Sequence, residues 1–206
     1  AMMTMSGIYY MLIFWYPTYL EKARGVTPQQ AGWLSTMVLG AGAIGSFLGG
    51  WLTDWLVQRT GNRRWGRTGQ AVLGAGLAAV GFLSSVVTNS AGLASLFIAL
   101  ACLGVQLQLP AWWACATQVS GRHLGALFGM MNMIGGVGAI LSELFVGYLA
   151  DWMKSLGYSG RAQWDPALAV YVVVALIGLI LWSLVNPEKT VEDPEAKPAR
   201  LDAAGA

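Results

Sequence analysis

Six apolar stretches, at about residues 2–20, 30–57, 68–87, 92–117, 124–150 and 167–185, leave little room for a water-soluble fold. At a rise of 1.5 Å per residue, roughly 20 residues cross a hydrocarbon core about 30 Å thick, so each stretch can span a bilayer. The second and fifth are long enough to tilt. The runs are too uninterrupted for the alternating strands of a barrel, which leaves an all-α polytopic bundle. Charge agrees, since 11% of the residues are Asp, Glu, Lys or Arg, against about 25% in soluble domains. A net charge of +2, with the arginines gathered in one loop, gives no footprint for nucleic acid. The first stretch lacks a basic leader and an A-x-A site, so no cleavable signal peptide is read. Cys102 and Cys115 fall in one stretch and, as helix residues, lie roughly 20 Å apart, beyond disulfide reach; both are expected to pack as small apolar residues.

Basic residues set an orientation. Arg59, Arg63, Arg64, Arg67, Arg122, Lys189, Lys197 and Arg200 fall on one side, and Lys22, Arg24, Lys154 and Arg161 on the other. The richer side is expected to be cytoplasmic, which places both ends of the chain there and the spans in a cell (inner) membrane. The Pro-rich, acidic segment 187–206 reads as a disordered cytoplasmic tail. An internal echo supports a repeat: G-W-L-T-D-W at 50–55 returns as G-Y-L-A-D-W at 147–152. Each copy ends a long Gly-rich span, and the two emerge on opposite faces. Two three-helix units of inverted topology would give that arrangement.

Polar residues inside or at the ends of spans carry the chemistry. Asp54 falls in the last turn of its helix, where the negative end of the helix dipole disfavours a carboxylate. Arg59, Arg63 and Arg64 follow across the turn pair Gly61–Asn62, which lets the chain double back toward it. Such a pair can form in one conformation and break in another, whereas Trp65 and Arg67 read as a basic interfacial anchor. In the fourth span Gln106 and Trp113 are seven residues apart, about 700° of turn, and share a face; Gln108 points away. Pro110 between them frees a backbone carbonyl that must be satisfied. A helix-to-helix hydrogen bond and a substrate contact both fit Gln106. In the fifth span Asn132 and Glu143 share a face roughly 16 Å apart, with Gly135, Gly136 and Ala139 between them permitting close approach of another backbone. Glu143 is the one ionisable residue well inside a span, which makes proton coupling conceivable. Tyr16 and Tyr19 read as interfacial anchors, while Tyr9 and Tyr10 sit deeper, where a phenol needs a partner. His123 reads as solvated. G-Y-S-G at 157–160 matches a serine-protease pattern, but Ser159 falls in an outer loop with the histidine upstream, so protease activity is rejected. Neither a cofactor nor a metal site is read.

The pattern Gly50-x3-Asp54-x4-Arg59-x-Gly61-x-Arg63-Arg64 resembles the loop signature of the major facilitator superfamily, carried between the second and third helices of each six-helix half. Extra residues between Asp54 and Gly61 are commoner in the C-terminal half. FWYPTYL at 14–20, AGW at 31–33 and the segment 120–152 resemble the anion:cation symporter family, whose members carry organic anions such as sugar acids, sialic acid and phthalate. The resemblance covers about residues 1–186 and implies a C-terminal six-helix half of a twelve-helix transporter, one that rocks against a missing N-terminal half. It implies a small organic anion as substrate and a coupling proton or cation. Because the fourth span lines the family's central cavity, Gln106 and Trp113 become substrate contacts, with Tyr9 beside them; Asn132 matches the family's G-x-M-N pattern and would hydrogen-bond substrate. Asp54, Arg59, Arg63 and Arg64 would form a cytoplasmic latch. No Lys or Arg lies inside a span, so the missing half must supply the cation that an anion needs. The chain enters a span directly at Ala1, which fits an excised half; a natural half-size protein pairing with itself or a partner is the other reading. A six-helix membrane scaffold or partner-binding subunit without transport stands as the alternative function.

Overall fold

A computed structural model describes residues 1–62 and 64–186. Among these residues the chain is helical, with no strand. The first expected span is broken in two, α1 (Met2–Phe14) and α2 (Tyr16–Arg24). Pro17 explains the break: it offers no N–H, and its ring crowds the preceding turn. The chain bends at Trp15, which takes φ −100° and ψ −23°, while Trp15 N still donates to Met11 O at 2.9 Å. α2 ends on Gly25 in the left-handed region, φ 67°.

α3 (Pro28–Thr60) starts from a reciprocal cap in which Thr27 and Gln30 each satisfy the other's backbone N–H. It closes on Gly61, again left-handed at φ 65°. A π-helical turn at Trp65–Gly69 leads into α4 (Gln70–Val87). α5 (Ala91–Val119) is capped by the Ser90 hydroxyl and runs through Pro110 without interruption. One 3₁₀ turn, Gly121–His123, precedes α6 (Leu124–Ser155), and α7 (Arg161–Leu184) follows. The outer loop expected across 151–165 is therefore a short turn at 156–160, because helix continues to Ser155 and resumes at Arg161. Five helical segments, Pro28–Thr60, Trp65–Val87, Ala91–Val119, Gly121–Ser155 and Arg161–Leu184, are long and apolar enough to cross a membrane. The remaining expected span, the first, corresponds instead to the broken pair α1 and α2, of which α1 is a shorter apolar helix.

α5 packs against both α3 and α4, α1 against α6, and α4 against α7. The pairs α3–α5 and α1–α6 cross between the first and second halves of the chain, so the two halves interlock. Glycines make the closest approaches possible. A Cβ at Gly49 of α3 would lie 2.5 Å from the Leu107 carbonyl oxygen of α5, and one at Gly104 would lie 2.5 Å from the Gly74 carbonyl oxygen of α4. No side chain fits there; the gain is van der Waals contact between backbones. Gly138 of α6 meets Met3 of α1 in the same way, while Gly136 faces open space. Enclosure differs sharply among the spans: 61% of the most apolar stretch of α5 is buried, against 28% for α3 and 17% for α6. Two long helices thus keep one flank bare.

Candidate functional site

Gln106 lies on the α5 face turned toward α3, with its Cγ 3.1 Å from where a Gly42 Cβ would sit. Although it is buried, its amide makes no hydrogen bond among the described residues. Gln108 points the other way, as its angular position requires: it accepts Trp182 Nε1 of α7 at 2.8 Å and donates to Gly104 O at 3.2 Å. Two turns beyond Gln106, Trp113 meets Phe128 of α6 edge to face at 4.7 Å. Asn132, one turn past Phe128, donates to the Phe128 carbonyl at 3.1 Å and is exposed. Phe128 therefore links Trp113 to Asn132. Tyr9 is half-buried and packs against the core that holds Cys102 and Val105 of α5. Tyr10 is exposed and stacks on Phe14 at 6.0 Å. The arrangement places the Gln106 amide, with no hydrogen bond among the described residues, near a set of aromatic faces along α1, α5 and α6. A separate apolar groove of about 480 Å³ lies between α1, α6 and α7, and it is lined by none of these residues.

Glu143 is half-buried in α6, and its Oε1 has no hydrogen-bond partner among the described residues. Trp15, at the bend of the first span, turns its indole N–H toward this carboxylate. The Trp15 ring covers Gly147, one turn along from Glu143, at 3.3 Å from the position of a Cβ. Next to Glu143, Ser142 Oγ donates to the Gly7 carbonyl at 2.7 Å and lies 2.5 Å from Tyr171 OH.

At the basic loop, Asp54 is exposed and forms no ion pair among the described residues. Arg59 instead holds its guanidinium over the Trp55 ring, 5.1 Å from the centroid. Arg64 is half-buried, and Arg63 lies outside the described residues. The arginine that is engaged here is Arg67, expected only as an anchor: its Nη1 donates to Ala114 O at 2.9 Å and to Gln118 Oε1. Beside it, Gln70 is almost fully buried and joins three helices. Its Nε2 donates to Gly49 O at 2.8 Å and Leu107 O at 2.7 Å, and its Oε1 accepts the Thr53 hydroxyl. Sequence reasoning missed Gln70; the available signal was a lone amide opening an apolar span, where polar side chains bridge helices.

At the opposite end, Tyr16 and Tyr19 are buried, not interfacial. The bend at Trp15 turns both inward, and each phenol finds a partner: Tyr16 OH donates to Ser95 Oγ at 2.8 Å, and Tyr19 OH to Asp165 Oδ1 at 2.9 Å. Arg161 and Asp165 form an ion pair at 2.9 Å. His123 and Ser159 are both exposed, in separate connections. Cys102 and Cys115 are free and buried. Among the described residues no three His, Cys, Asp or Glu side chains gather as a metal site would require.

A family model described as Major Facilitator Superfamily matches residues 1–205. The chain is 30% identical over 190 residues to the probable sulfoacetate transporter SauU of Cupriavidus necator, covering 91% of this chain and 42% of that protein. It is also 30% identical over 187 residues to the probable galactarate/D-glucarate transporter GudP of Escherichia coli, covering 91% of this chain and 40% of that one. The chain thus spans less than half the length of these relatives. In fold it is similar to the inward-open xylose transporter XylE from E. coli, with a TM-score of 0.64 at 16% identity, over 90% of this chain and 47% of that one.

Proposed function

This chain belongs to the Major Facilitator Superfamily, and we propose that it is the C-terminal six-helix half of a secondary transporter for a small organic anion, a sugar acid or similar carboxylate. The observation that carries the reading is the pair of 30% identical relatives, one named for sulfoacetate and one for galactarate and D-glucarate, each of which the chain covers by about two fifths. Residues 1–186 form the half-domain in this reading; the expected tail, 187–206, lies outside the described residues. The bare flanks of α3 and α6 support a second half lying against them.

In this reading the face of α5 that carries Gln106 and Trp113, with Tyr9 and Asn132 beside it, walls one side of the substrate site. Gln106 suits the task because its amide makes no hydrogen bond among the described residues. It would hydrogen-bond a hydroxyl or carboxylate, and the aromatic faces would bound the carbon skeleton. The arginines at the span ends are committed elsewhere, Arg24 and Arg161 to carbonyls near the end of α4 and Arg67 to α5. The charge opposite the anion therefore comes from the other half. Glu143 is the site at which this half would take up a coupling proton. Asp54, Arg59, Arg63 and Arg64 serve as a cytoplasmic latch; Asp54 makes no ion pair with Arg59 or Arg64, and Arg63 lies outside the described residues.

The test uses cells that express the complete reading frame. Uptake of labelled galactarate, D-glucarate or sulfoacetate is expected from the complete protein and not from liposomes holding the 206-residue chain alone. Asp54→Asn in the complete protein is expected to change the transport rate at unchanged protein level. Uptake by the isolated chain overturns the half-transporter reading, and loss of protein level alone overturns the latch in favour of a structural loop.

A further inference from the structure

Two guanidiniums converge on the C-terminal end of α4. Arg24, the last residue of α2, donates Nη2 to Ser85 O at 2.8 Å and Nη1 to the carbonyls of Thr88 and Asn89. Arg161, the first residue of α7, donates Nη2 to Val86 O and Nη1 to Asn89 Oδ1, both at 2.5 Å. Each arginine turns its Nε the other way: Arg24 Nε donates to Tyr19 OH at 2.8 Å, and Arg161 Nε donates to Asp165 Oδ2 at 2.9 Å. Tyr19 OH then donates to the other oxygen of the same carboxylate at 2.9 Å, which closes the circuit.

The last carbonyls of a helix have no partner within it and carry the negative end of its dipole, so they attract cations. A guanidinium suits them because its rigid fork reaches several acceptors at once, which an ammonium does not. A single exposed ion pair contributes little. Here the arginines, the phenol and the carboxylate satisfy one another in a ring that includes a helix end, and such networks hold more strongly than their separate pairs. α1 packs chiefly against α6.

We infer that Arg24, Arg161, Asp165 and Tyr19 are positioning residues that lock the ends of α2, α4 and α7 at this face into one rigid block.

Hydrogen exchange of the membrane-embedded chain tests this without knowledge of the substrate. Asp165→Asn and Arg24→Gln lie in different helices, and neither touches α1. Each is expected to speed exchange about tenfold at all three ends, in α2, at the end of α4 and at the start of α7, because each opens the same circuit. α1 and α6 keep their wild-type rates, and combining the two substitutions adds little. Acceleration confined to the helix that carries the substitution, no acceleration at all, or acceleration that spreads through α1 and α6 overturns the inference. Should either variant fail to accumulate, Tyr19→Phe removes a single hydroxyl and is expected to give the same three-end pattern at smaller amplitude; a response restricted to α2 refutes it equally.

Discussion

Gly49 and Gly50 are neighbours in α3, yet alanine at the two positions is expected to act in opposite directions. At Gly49 a methyl group would stand 2.5 Å from the Leu107 carbonyl oxygen and 3.1 Å from Gln70 Nε2. The first obstacle is the backbone of α5, which cannot swing aside, so α3 and α5 must separate; overpacking of this kind costs about 1–3 kcal/mol. The second obstacle donates to Gly49 O and Leu107 O, and displacing it breaks these two buried hydrogen bonds, at about 1–3 kcal/mol more together. Gly49→Ala should therefore destabilise by roughly 2–6 kcal/mol in all. A Cβ at Gly50 meets nothing within 4 Å, so Gly50→Ala feels only the helix preference for alanine, at most about 1 kcal/mol in favour. Thermal and denaturant unfolding of the two variants in the same detergent measures the difference. Equal stability, or a more stable Gly49→Ala, would refute the argument that glycine is needed where α3 meets α5.

Further outcomes follow from the same packing. Gln70→Leu removes the donor to the Gly49 and Leu107 carbonyls and one partner of the Thr53 hydroxyl, which keeps Gly49 O, and is expected to cost about 1–3 kcal/mol, read by the same unfolding assay, whereas Gln58→Leu on the exposed side of α3 should be neutral. Trp182→Phe removes the donor to Gln108 Oε1 and should lower stability by about 1 kcal/mol or more, while Trp55→Phe, half-exposed on α3, should not. Cys102 and Cys115, both buried, should resist maleimide in the folded chain and react on unfolding; ready labelling in the native state would contradict their placement.

The apolar runs revealed five of the spans because length and hydrophobicity alone decide what crosses a bilayer. They could not show that the first run bends, since Trp15 and the tyrosines are apolar enough to continue it and only Pro17 hinted otherwise. The shared face of Gln106 and Trp113, and the opposite aim of Gln108, came from helical geometry alone. The circuit around α4 could not be read that way. Arg24 lies 61 residues from Ser85, and Tyr19 lies 146 from Asp165, so no local pattern joins them. Tyr16 and Tyr19 were mistaken for interfacial anchors for the same reason: their partners are supplied by other helices. Gln70 carries no periodic signal because a single amide can face lipid, water or protein, and only the convergence of α3, α4 and α5 decides.

The π-helical turn at Trp65–Gly69 has a consequence for how the chain can change length over generations. Such a turn holds one residue more than the α-helix around it, and it can absorb an insertion or surrender a deletion while the helices on either side keep their register. The Gly49–Leu107 and Gly74–Gly104 contacts have no comparable slack, because a one-residue shift rotates each glycine by about 100° out of the seam. Descendants of this sequence should therefore gain and lose residues at the junction and stay the same length inside α3, α4 and α5.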